Sequence, residues 1–276
     1  MIKINDITII IVTYNSKKVI RKCLLNLNQF KKILILDNSN DIKLKKKLYK
    51  KKNIYFYISK KNLGYAAGNN FLLKKVKTKY ALILNPDTFL EKQNIKKLIN
   101  QINILNEKFG IIGSIKDAQI ISKHKIQNNI FYDCKFVKGF FMLANMKALK
   151  KVKYFDESFF MYLEEIDLCK RIRENNYKIY AMKNFSVKHI GASSTSIGEE
   201  FEKNRNWHWL WSQYYFDKKH KGYFYCFFKY IFILTKVSLN LFLIPLHKNN
   251  KFYFYRFSGL VSSILGKKSF YRPRLF

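Results

Sequence analysis

The feature that most constrains this chain is the alternation of short apolar runs with longer, lysine-rich segments of helical periodicity. The apolar runs are rich in β-branched residues and have the length of β-strands: Ile7–Thr13, Lys32–Leu36, Ile54–Ile58, Tyr80–Leu84 and Ile111–Ile115. Strands that are apolar almost without interruption are buried on both faces, as in parallel sheets covered by helices. The sequence therefore predicts an α/β fold with a mostly parallel central sheet and helices on both faces.

The segments between the apolar runs place their own apolar residues at helical spacing. The predicted helices are Lys17–Phe30, Tyr65–Lys77 and Glu91–Asn106. Residues 116–136 are polar and weakly patterned, and we interpret them as a variable excursion. Two further short strands are predicted, at Lys178–Met182 and Val187–Ile190. Ligands of open α/β sheets bind beyond the carboxyl ends of the strands, so polar residues that follow each strand are the candidates for chemistry.

The composition of the chain changes after Asp217. We predict a catalytic domain over residues 1–217 and a basic, helical, aromatic-rich extension over residues 218–276, which has twelve Lys and Arg and no Asp or Glu. Gly222–Leu246 is 25 residues long, close to the about 20 residues that span a bilayer. Lys229 and Lys236 interrupt it, and each charge in mid-membrane costs about 2.5–3.5 kcal/mol.

The aromatic stretch shows an incomplete amphipathic pattern. Four apolar residues oppose three polar ones on helical spacing: Phe228, Phe232, Leu239 and Phe242 against Lys229, Lys236 and Asn240. With lysines around it, the stretch fits a helix that lies in the interface of an anionic membrane. The alternative is that its aromatic residues pack on the catalytic domain or on a second subunit, which would make the protein a homo-oligomer.

The formal charge of the chain is +35, and only seven of its 53 basic residues are Arg. Interfaces that read nucleic acid favour Arg, because its planar fork makes paired contacts with phosphates and base edges. The composition therefore argues against a dedicated nucleic-acid partner. A general attraction to anionic partners such as diphosphates and membrane lipid remains. A basic scaffold that binds nucleic acid or anionic lipid is the alternative function that explains the charge alone.

The cysteines and the N-terminus indicate a cytoplasmic protein. The four cysteines lie far apart and form no CxxC pair: Cys23, Cys134, Cys169 and Cys226. Such spacing is typical of buried thiols in a reducing compartment. The apolar core of the N-terminus spans only Ile7–Val12, with no small-residue cleavage site after it, which favours a strand over a signal peptide.

Polar clusters follow three of the predicted strands. They are Thr13-Tyr14-Asn15-Ser16, Asp37-Asn38-Ser39-Asn40 and Asn85-Pro86-Asp87. A carboxylate at a strand end accepts hydrogen bonds from a nucleobase or a ribose hydroxyl, or binds a divalent cation. Alternatively, Asp37 and Asp87 cap the turns that follow them. Between the third and fourth strands, the small residues of Asn62–Asn70 permit close approach of a ligand to a helix N-terminus.

An acidic segment follows in the second half of the chain. Six of the 18 acidic residues lie within 19 residues: Asp156, Glu157, Glu164, Glu165, Asp167 and Glu174. In a helix over this segment, Glu164, Asp167 and Arg171 share one face, whereas Glu165 points elsewhere. These acids are either a general base beside a metal diphosphate or salt-bridge partners in a basic chain. His189 is a single histidine of the kind that completes the coordination of a cation.

The ordered set of motifs resembles that of a known family. In chain order the motifs are VTYNS, LDNSN, NLGYAAGNN, LNPD, KGFFMLAN, YLEEIDLCKRIRENNYKI and KHIGASS, across residues 7–196. Single motifs are unspecific, but their order resembles the rhamnosyltransferase-like branch of family 2 glycosyltransferases. The resemblance implies the GT-A fold with its Rossmann-like sheet, a nucleotide-sugar donor, a divalent metal (Mg or Mn) and inversion at the anomeric carbon.

The resemblance also implies roles for single residues. Those that would line the nucleoside pocket or approach the ribose and the sugar are Thr13, Asn15, Asp37, Asn62, Gly64 and Asn69. Asn85-Pro86-Asp87 occupies the place of the family's Asp-x-Asp motif, so Asp87 would bind the metal, with His189 as its second protein ligand. Asn85 occupies the place of the first acid of that motif, so by resemblance it would still line the donor site. Because Asn is not a carboxylate, the metal would have one carboxylate ligand fewer.

Glu164-Glu165 occupies the position where the family usually has Glu-Asp. The resemblance therefore implies Glu165 as the general base. Glu165 is one methylene longer than the usual Asp, so Glu164 or Asp167 could share the task. Which of these carboxylates is the base stays open at this point.

From these residues we expect an inverting, metal-dependent glycosyltransferase, peripheral on the inner face of the cell membrane. By resemblance only, the favoured donor is dTDP-rhamnose, and the acceptor is a growing surface glycan on a lipid carrier. Donors that carry another sugar remain open. A hydrolase with paired carboxylates would explain the acidic residues but not the residues of the nucleotide pocket.

Overall fold

The computed structural model describes residues 1–48, 51–105, 108–116, 118–122, 131–183, 185, 187–189, 198–242, 251–269 and 271. The chain divides into two compact units. The first comprises Met1–Asp156 and Glu165–Thr195, and the second comprises Glu157–Glu164 and Ser196–Phe276. The predicted boundary after residue 217 falls inside a long helix of the second unit and stays a prediction.

The first unit is built on a large mixed sheet. The strands in chain order are β1 (Ile7–Thr13), β2 (Ile33–Asp37), β3 (Ile54–Ile58), β4 (Tyr80–Leu84), β5 (Thr88–Phe89), β6 (Phe109–Ser114), β7 (Gln119–Ile120), β8 (Phe131–Phe136), β9 (Phe141–Asn145), β10 (Lys178–Met182) and β11 (Lys188–His189). Among the described residues, the sheet has nine strands in the order β3-β2-β1-β4-β9-β6-β10-β8-β7, and β5 pairs separately with β11.

Strands β3, β2, β1 and β4 run parallel to one another, β9 is antiparallel to both of its neighbours, and β6 is parallel to β10. This arrangement confirms the predicted α/β fold. The central strands are apolar almost throughout, in keeping with a sheet that is covered on both faces. Along β1, Ile9 and Ile11 belong to one buried cluster, whereas Ile10 belongs to the other.

Six helices of the described chain belong to the α/β part or begin at its border. They are α1 (Ile20–Leu24), α2 (Ile42–Leu48), α3 (Gly64–Leu73), α4 (Lys92–Ile104), α5 (Met146–Lys151) and α6 (Glu164–Glu174). The prediction of one helix over Lys17–Phe30 was wrong in extent, because only α1 is helical there. The residues after α1 continue in tight turns, in which a backbone N–H donates to the carbonyl oxygen three residues earlier, as the N–H of Leu27 does to the carbonyl oxygen of Leu24.

Two further sequence expectations need correction. The segment 116–136 was predicted to be an irregular excursion, but it contains β7 and β8, which pair with each other. Its polar residues hid the strand signal, and residues 123–130 lie outside the described chain. The strand predicted at Val187–Ile190 is shorter than expected, because β11 covers Lys188–His189 and Val187 lies outside it; Ile190 is not among the described residues.

The second unit is helical. Helix α7 (Glu199–Phe242) packs against α8 (Lys251–Ile264) around a small core: Leu210, Tyr214, Cys226, Tyr230, Val237 and Leu260. Gly222 interrupts α7 with a φ of 84° and a ψ of 175°, values that favour glycine. At Gly259 the two helices approach closely, since a Cβ there would lie 2.2 Å from the carbonyl oxygen of Trp207.

The part of α7 after Gly222 is apolar on two faces. One face packs in the core of the unit through Cys226, Tyr230 and Val237. The other face is exposed and consists of Tyr223, Phe224, Phe227, Phe228, Ile231 and Phe232. Among the described residues, one stretch, Glu199–Leu241, is long and apolar enough to cross a membrane by length and composition. Residues 243–246 of the predicted aromatic stretch lie outside the described residues.

Candidate active site

The carboxyl ends of β1 and β2 form the first part of the site. The two strands pair in a register that places Thr13 opposite Asp37. The Thr13 hydroxyl donates to Oδ1 of Asp37 at 2.8 Å, and both side chains are fully buried. The Ser39 hydroxyl donates to the same carboxylate at 2.9 Å and accepts from the backbone N–H of Asn15 at 3.1 Å. The predicted nucleoside residues Thr13, Asn15 and Asp37 therefore belong to one connected cluster.

The Asp37 carboxylate also holds the turn that leads to α2. Its Oδ2 accepts from the backbone N–H of Asp41 at 2.8 Å and of Ser39 at 3.2 Å, which is the contact pattern of a turn-capping aspartate. Asn15 is exposed on the adjoining turn with a φ of 51°. Because Asp37 itself is buried, it shapes this edge of the sheet, and Asn15 and Ser39 present the accessible polar atoms.

The N-terminus of α3 lies at the same edge. Gly64 begins the helix with a φ of 76°, and its N–H donates to Oδ1 of Asn62 at 2.9 Å. The side chain of Asn38, which follows β2, donates to the carbonyl oxygen of Gly64 at 3.2 Å. A Cβ at Gly68 would lie 3.0 Å from a methyl group of Val12. The small residues of this segment thus bring α3 close to β1.

Asn69 carries a buried acceptor on the same helix. Its Nδ2 donates to the carbonyl oxygen of Tyr65 at 2.9 Å, whereas its buried Oδ1 accepts from no group in the described part of the chain. A buried polar atom without a partner costs about 1–3 kcal/mol. A hydroxyl group of a bound sugar or ribose would supply the missing donor, in line with the role that the resemblance implies for Asn69.

Asp87 and His189 meet beyond the end of β4. Nε2 of His189 lies 3.2 Å from Oδ1 of Asp87, and the Asp87 side chain is almost completely buried. The pairing of β5 with β11 places His189 opposite Thr88, the residue after Asp87. The imidazole ring stacks on Phe140 at 4.5 Å with an angle of 8° between the planes. Two short strands and one aromatic ring therefore fix the imidazole beside the carboxylate.

The Asp87–His189 pair fits a divalent cation. Adjacent ligands of an octahedral cation with bonds of about 2.1 Å lie about 3 Å apart, close to the separation of these two atoms. No group of three or more His, Cys, Asp or Glu with metal-binding geometry occurs among the described residues. Mg²⁺ typically keeps several waters and binds one or two protein carboxylates together with substrate phosphates. Two protein ligands are therefore sufficient for a metal that is shared with a diphosphate.

Asn85 takes part in this loop through its backbone. Its N–H donates to the carbonyl oxygen of Phe140 at 3.0 Å, and its carbonyl oxygen lies 3.7 Å from the Cys23 thiol. Burial, and next the charge of Asp87, raise the pKa of the Cys23 thiol to about 12. Cys23 therefore remains protonated and acts as a packing residue behind the loop. All four cysteines of the chain are buried and free.

Glu165 lies in the first turn of α6 with its side chain 12% exposed. Burial raises the pKa of Glu165 above its usual value. The charge of Lys138, whose Nζ lies 3.6 Å from Oε1, and the backbone N–H groups of Glu165 and Ile166 oppose that rise. A carboxylate that is hard to keep ionised, yet held by a cation and a helix N-terminus, is suited to accept a proton.

The other two acidic candidates have different surroundings. Asp167 is fully buried and accepts from Nε of Arg171 at 2.7 Å, and Arg171 also donates to the carbonyl oxygen of Val152. This ion pair ties α6 to the end of α5. Glu164 is buried at the first position of α6, directly after Leu163, whose φ of 68° is unusual for a residue with a side chain.

Three contacts in the site involve residues to which the sequence had given no role. Lys138 contacts Glu165, and Phe140 stacks on His189. The Tyr65 hydroxyl donates to the carbonyl oxygen of Gly139 at 2.6 Å, which joins α3 to the segment before β9. The motif KGFFMLAN had marked this segment, but only the fold shows that it lies between the metal pair and the acidic helix.

Comparisons with known proteins agree with the family resemblance that the motifs indicated. The model of the family described as Glycosyl transferase family 2 matches residues 8–169, more than half of the chain. A low-salt glycan biosynthesis hexosyltransferase, Agl10 of Haloferax volcanii, is 26% identical over 198 residues. The match covers 64% of each chain, so this chain spans less than two thirds of the length of that relative. Rhamnosyltransferase WbbL of Escherichia coli is 27% identical over 236 residues, which are 72% of this chain and 88% of WbbL.

A solved structure has the same architecture. The mannosyltransferase PcManGT from Pyrobaculum calidifontis, in complex with GDP-Man and Mn²⁺, superposes with a TM-score of 0.57. The superposition covers 95% of this chain and 88% of that one, at 11% sequence identity. At this identity the likeness concerns the fold alone, and it confirms the predicted GT-A fold.

Proposed function

Because this chain belongs to glycosyl transferase family 2, we propose that it moves a sugar from a nucleotide-sugar donor to a hydroxyl group of a growing surface glycan, with inversion at the anomeric carbon. The observation that carries the proposal is the Asp87–His189 pair, with 3.2 Å between Oδ1 and Nε2. The pair lies beyond the carboxyl end of β4, where ligands of open α/β sheets bind. The cluster around Asp37 lies beyond the end of β2, two strands away in the same sheet.

Glu165 is the general base of the proposed reaction. It accepts the proton of the acceptor hydroxyl while that oxygen forms a bond to the anomeric carbon. The bond from this carbon to the diphosphate oxygen breaks, and the nucleoside diphosphate leaves. Since the two oxygens occupy opposite faces of the carbon, the configuration is inverted. Such base assistance typically contributes about 10²–10⁴-fold to the rate.

Asp87 and His189 would hold a divalent cation, Mg²⁺ or Mn²⁺. When it is bound, this ion neutralises the charge of the leaving diphosphate. The mannosyltransferase of the same fold was solved with GDP-Man and Mn²⁺, which supports the assignment. Asn69 would orient the donor because its buried Oδ1 would accept a hydrogen bond from a hydroxyl group of the sugar or the ribose.

The favoured donor is dTDP-rhamnose. Its support is the likeness to a protein named rhamnosyltransferase, at 27% identity. The relative named hexosyltransferase is similarly distant at 26%, so another hexose is the alternative donor.

A donor screen tests the proposed function. Purified protein is mixed with a panel of nucleotide sugars, and the melting temperature is measured with Mn²⁺ and with excess chelator, for the wild type and for Asp87→Ala. We expect at least one donor to raise the melting temperature of the wild type only with metal, and no donor to do so for Asp87→Ala. Asp6→Asn, at an exposed turn of the N-terminus, is the matched control.

Release of the nucleoside diphosphate separates transfer from hydrolysis. The proposal predicts release only when a glycan acceptor is added. Equal release with and without acceptor would support the hydrolase alternative instead. Full activity in excess chelator would contradict the metal assignment.

We also propose that the protein is cytoplasmic and associates with the inner face of the membrane through the exposed face of α7. That face carries Phe224 and Phe232, which are 80% and 75% exposed. The opposite face of the same helix packs within the unit, and Lys229 forms an ion pair with Asp217. A helix that is buried on one side and basic at its borders fits the membrane interface better than the bilayer centre.

A further inference from the structure

The second unit contains a cavity of about 760 Å³. Helix α7 and the turn after α8 form its walls together with Glu157 and Ser158. All of its lining residues belong to the second unit. Its volume lies within the range of about 300–1,000 Å³ that is typical of small-molecule sites. None of the residues assigned above to the donor, the metal or the base lines it.

One wall of the cavity is aromatic. The rings of Trp211 and Tyr215 stack with centroids 5.1 Å apart and 18° between their planes. Phe159 contacts Tyr215 edge-on at 4.9 Å. Nε1 of Trp211 donates to the carbonyl oxygen of Lys267 at 3.1 Å, which fastens the turn after α8 to α7. Trp211 is almost fully buried, whereas Tyr215 is partly exposed.

The rim of the cavity is basic. Gly266 lies in the turn after α8 with a φ of 70°, and this turn brings Lys267 and Lys268 to the cavity. Lys218 and Lys219 reach it from α7. Of the described residues that line the cavity, Glu157 is the only acidic one. Within the part of the chain that the structure describes, Lys218, Lys267 and Lys268 form no ion pair. These three lysines therefore have no charge partner among the described residues and are available to an anion.

A buried hydrogen-bond chain orients Ser269, one of the polar residues that line the cavity. Nε2 of His208 lies 2.8 Å from the carbonyl oxygen of Tyr271, and Nδ1 lies 3.0 Å from Oγ of Ser269. A carbonyl oxygen only accepts, so the network assigns the proton of neutral His208 to Nε2. The Ser269 hydroxyl then donates to Nδ1 of His208. Its oxygen can still accept a hydrogen bond from a hydroxyl group of a ligand.

We propose that this cavity binds a phosphate-bearing saccharide. The lysines attract the phosphate oxygens as point charges. The Tyr215 ring packs against the sugar, and Oγ of Ser269 accepts a hydrogen bond from one of the sugar hydroxyl groups. Glycosyl transfer needs two substrates, and the strand-edge site of the first unit is assigned to the donor. The cavity of the second unit accordingly takes the phosphorylated part of the acceptor, an identification that rests on the proposed function.

Two sources supply this chemistry, a lipid-linked sugar diphosphate and a soluble sugar phosphate. The lipid-linked source is favoured by the order of features along α7. Lys218 and Lys219 lie just before Gly222, and the exposed aromatic face begins with Tyr223. A head group in the cavity would thus have an apolar surface of the same unit available for its chain.

Calorimetry with three probes tests the proposal. Pyrophosphate, glucose 1-phosphate and glucose are titrated into the full-length protein at low salt and in excess chelator, so that a metal held by the first unit does not bind the probe. We expect both phosphates to bind and glucose to bind at least tenfold more weakly. The double variant Lys267→Gln/Lys268→Gln should bind both phosphates at least tenfold more weakly than the wild type. The double variant Lys96→Gln/Lys97→Gln, on an exposed face of α4, removes the same charge and should bind them like the wild type.

Equal binding of pyrophosphate to the two double variants would overturn the proposal, as would equal binding of glucose and glucose 1-phosphate by the wild type. Farnesyl diphosphate separates the two sources. Binding much tighter than that of pyrophosphate supports the lipid-linked source, and equal binding supports the soluble one. None of these probes is a nucleotide sugar, so a failed donor screen leaves the result for this cavity readable.

Discussion

Nζ of Lys138 lies 3.6 Å from Oε1 of Glu165 and partly offsets the effect of burial on that carboxyl group. The two residues come from different parts of the chain, the segment before β9 and the first turn of α6. Their contact sets how readily the proposed base releases and accepts a proton, and it gives the first prediction.

Lys138→Met should shift the pH dependence of transfer. Burial raises the pKa of Glu165 and Lys138 lowers it, so loss of the lysine raises that pKa further. The reaction needs ionised Glu165, so the acidic limb of the kcat/KM profile should move to higher pH, with a larger loss of activity at pH 6 than at pH 8. Lys135→Met, at an exposed position of β8, should leave the profile unchanged. An equal loss at every pH would show that Lys138 does not act through the base.

Glu165→Gln should stabilise the fold at neutral pH. The folded-state pKa of Glu165 is raised by burial, so ionisation of this group costs native stability as the pH rises from the unfolded value of about 4.3 to the folded one. The amide carries no such cost. The free energy of unfolding of the variant should therefore exceed that of the wild type at pH 8, and the difference should shrink toward pH 4. Urea unfolding at both pH values measures this, and an unchanged difference would contradict it.

Asp37→Asn should lower stability and donor affinity together. The carboxylate accepts from Thr13, Ser39 and Asp41, and an amide presents an NH₂ group to at least one of these donors. The mismatch costs about 1–3 kcal/mol, or about 2–4 °C in melting temperature for each kcal/mol in a protein of this size. Ser39→Ala removes one partner and keeps the acceptor, so its loss should be smaller. A donor KM that rises without any fall in melting temperature would show that Asp37 contacts the nucleoside alone.

The exposed face of α7 should carry membrane binding. Burial of a large apolar side chain contributes about 1.5–3 kcal/mol, so Phe224→Ser/Phe228→Ser/Phe232→Ser should lower partitioning onto phosphatidylglycerol vesicles at least tenfold. The matched control is Leu25→Ser/Ile42→Ser/Tyr55→Ser, which removes exposed apolar residues from the first unit. Co-flotation with vesicles at low salt is the measurement. A wild type that does not bind these vesicles would exclude the interface.

The sequence alone predicted the elements whose signal is local. Strands β1 to β4 are continuous apolar runs, and their boundaries agree with the prediction to within one residue. Helix α1 is shorter than predicted. The buried residues Leu27 and Phe30 lie in tight turns after the helix, and over so few residues such turns bury side chains at the same spacing as a helix. Strand β7 was missed because it has only two residues, both exposed, and β8 was missed because Asp133 and Lys135 interrupt its apolar residues.

Contacts between distant segments could not be predicted in this way. The motif that contains Lys138 was noted in the sequence. The contact between Lys138 and Glu165, however, depends on how the segment before β9 and the first turn of α6 are placed in the fold. The lysines that line the cavity of the second unit lie in two pairs far apart in sequence, at residues 218–219 and 267–268. Only the packing of α8 against α7 brings these pairs to one cavity. No local pattern carries that information.

The most direct test of the central claim is the turnover of two neighbouring variants, Glu165→Gln and Glu164→Gln. Acceptor-dependent release of nucleoside diphosphate is measured with saturating donor and Mn²⁺, beside the donor-dependent rise in melting temperature. We predict that Glu165→Gln lowers turnover by about 10²–10⁴-fold and keeps the donor response, because the amide fits the site but accepts no proton. Glu164→Gln should retain most of its turnover. Wild-type turnover by Glu165→Gln, or a loss confined to Glu164→Gln, would contradict the account.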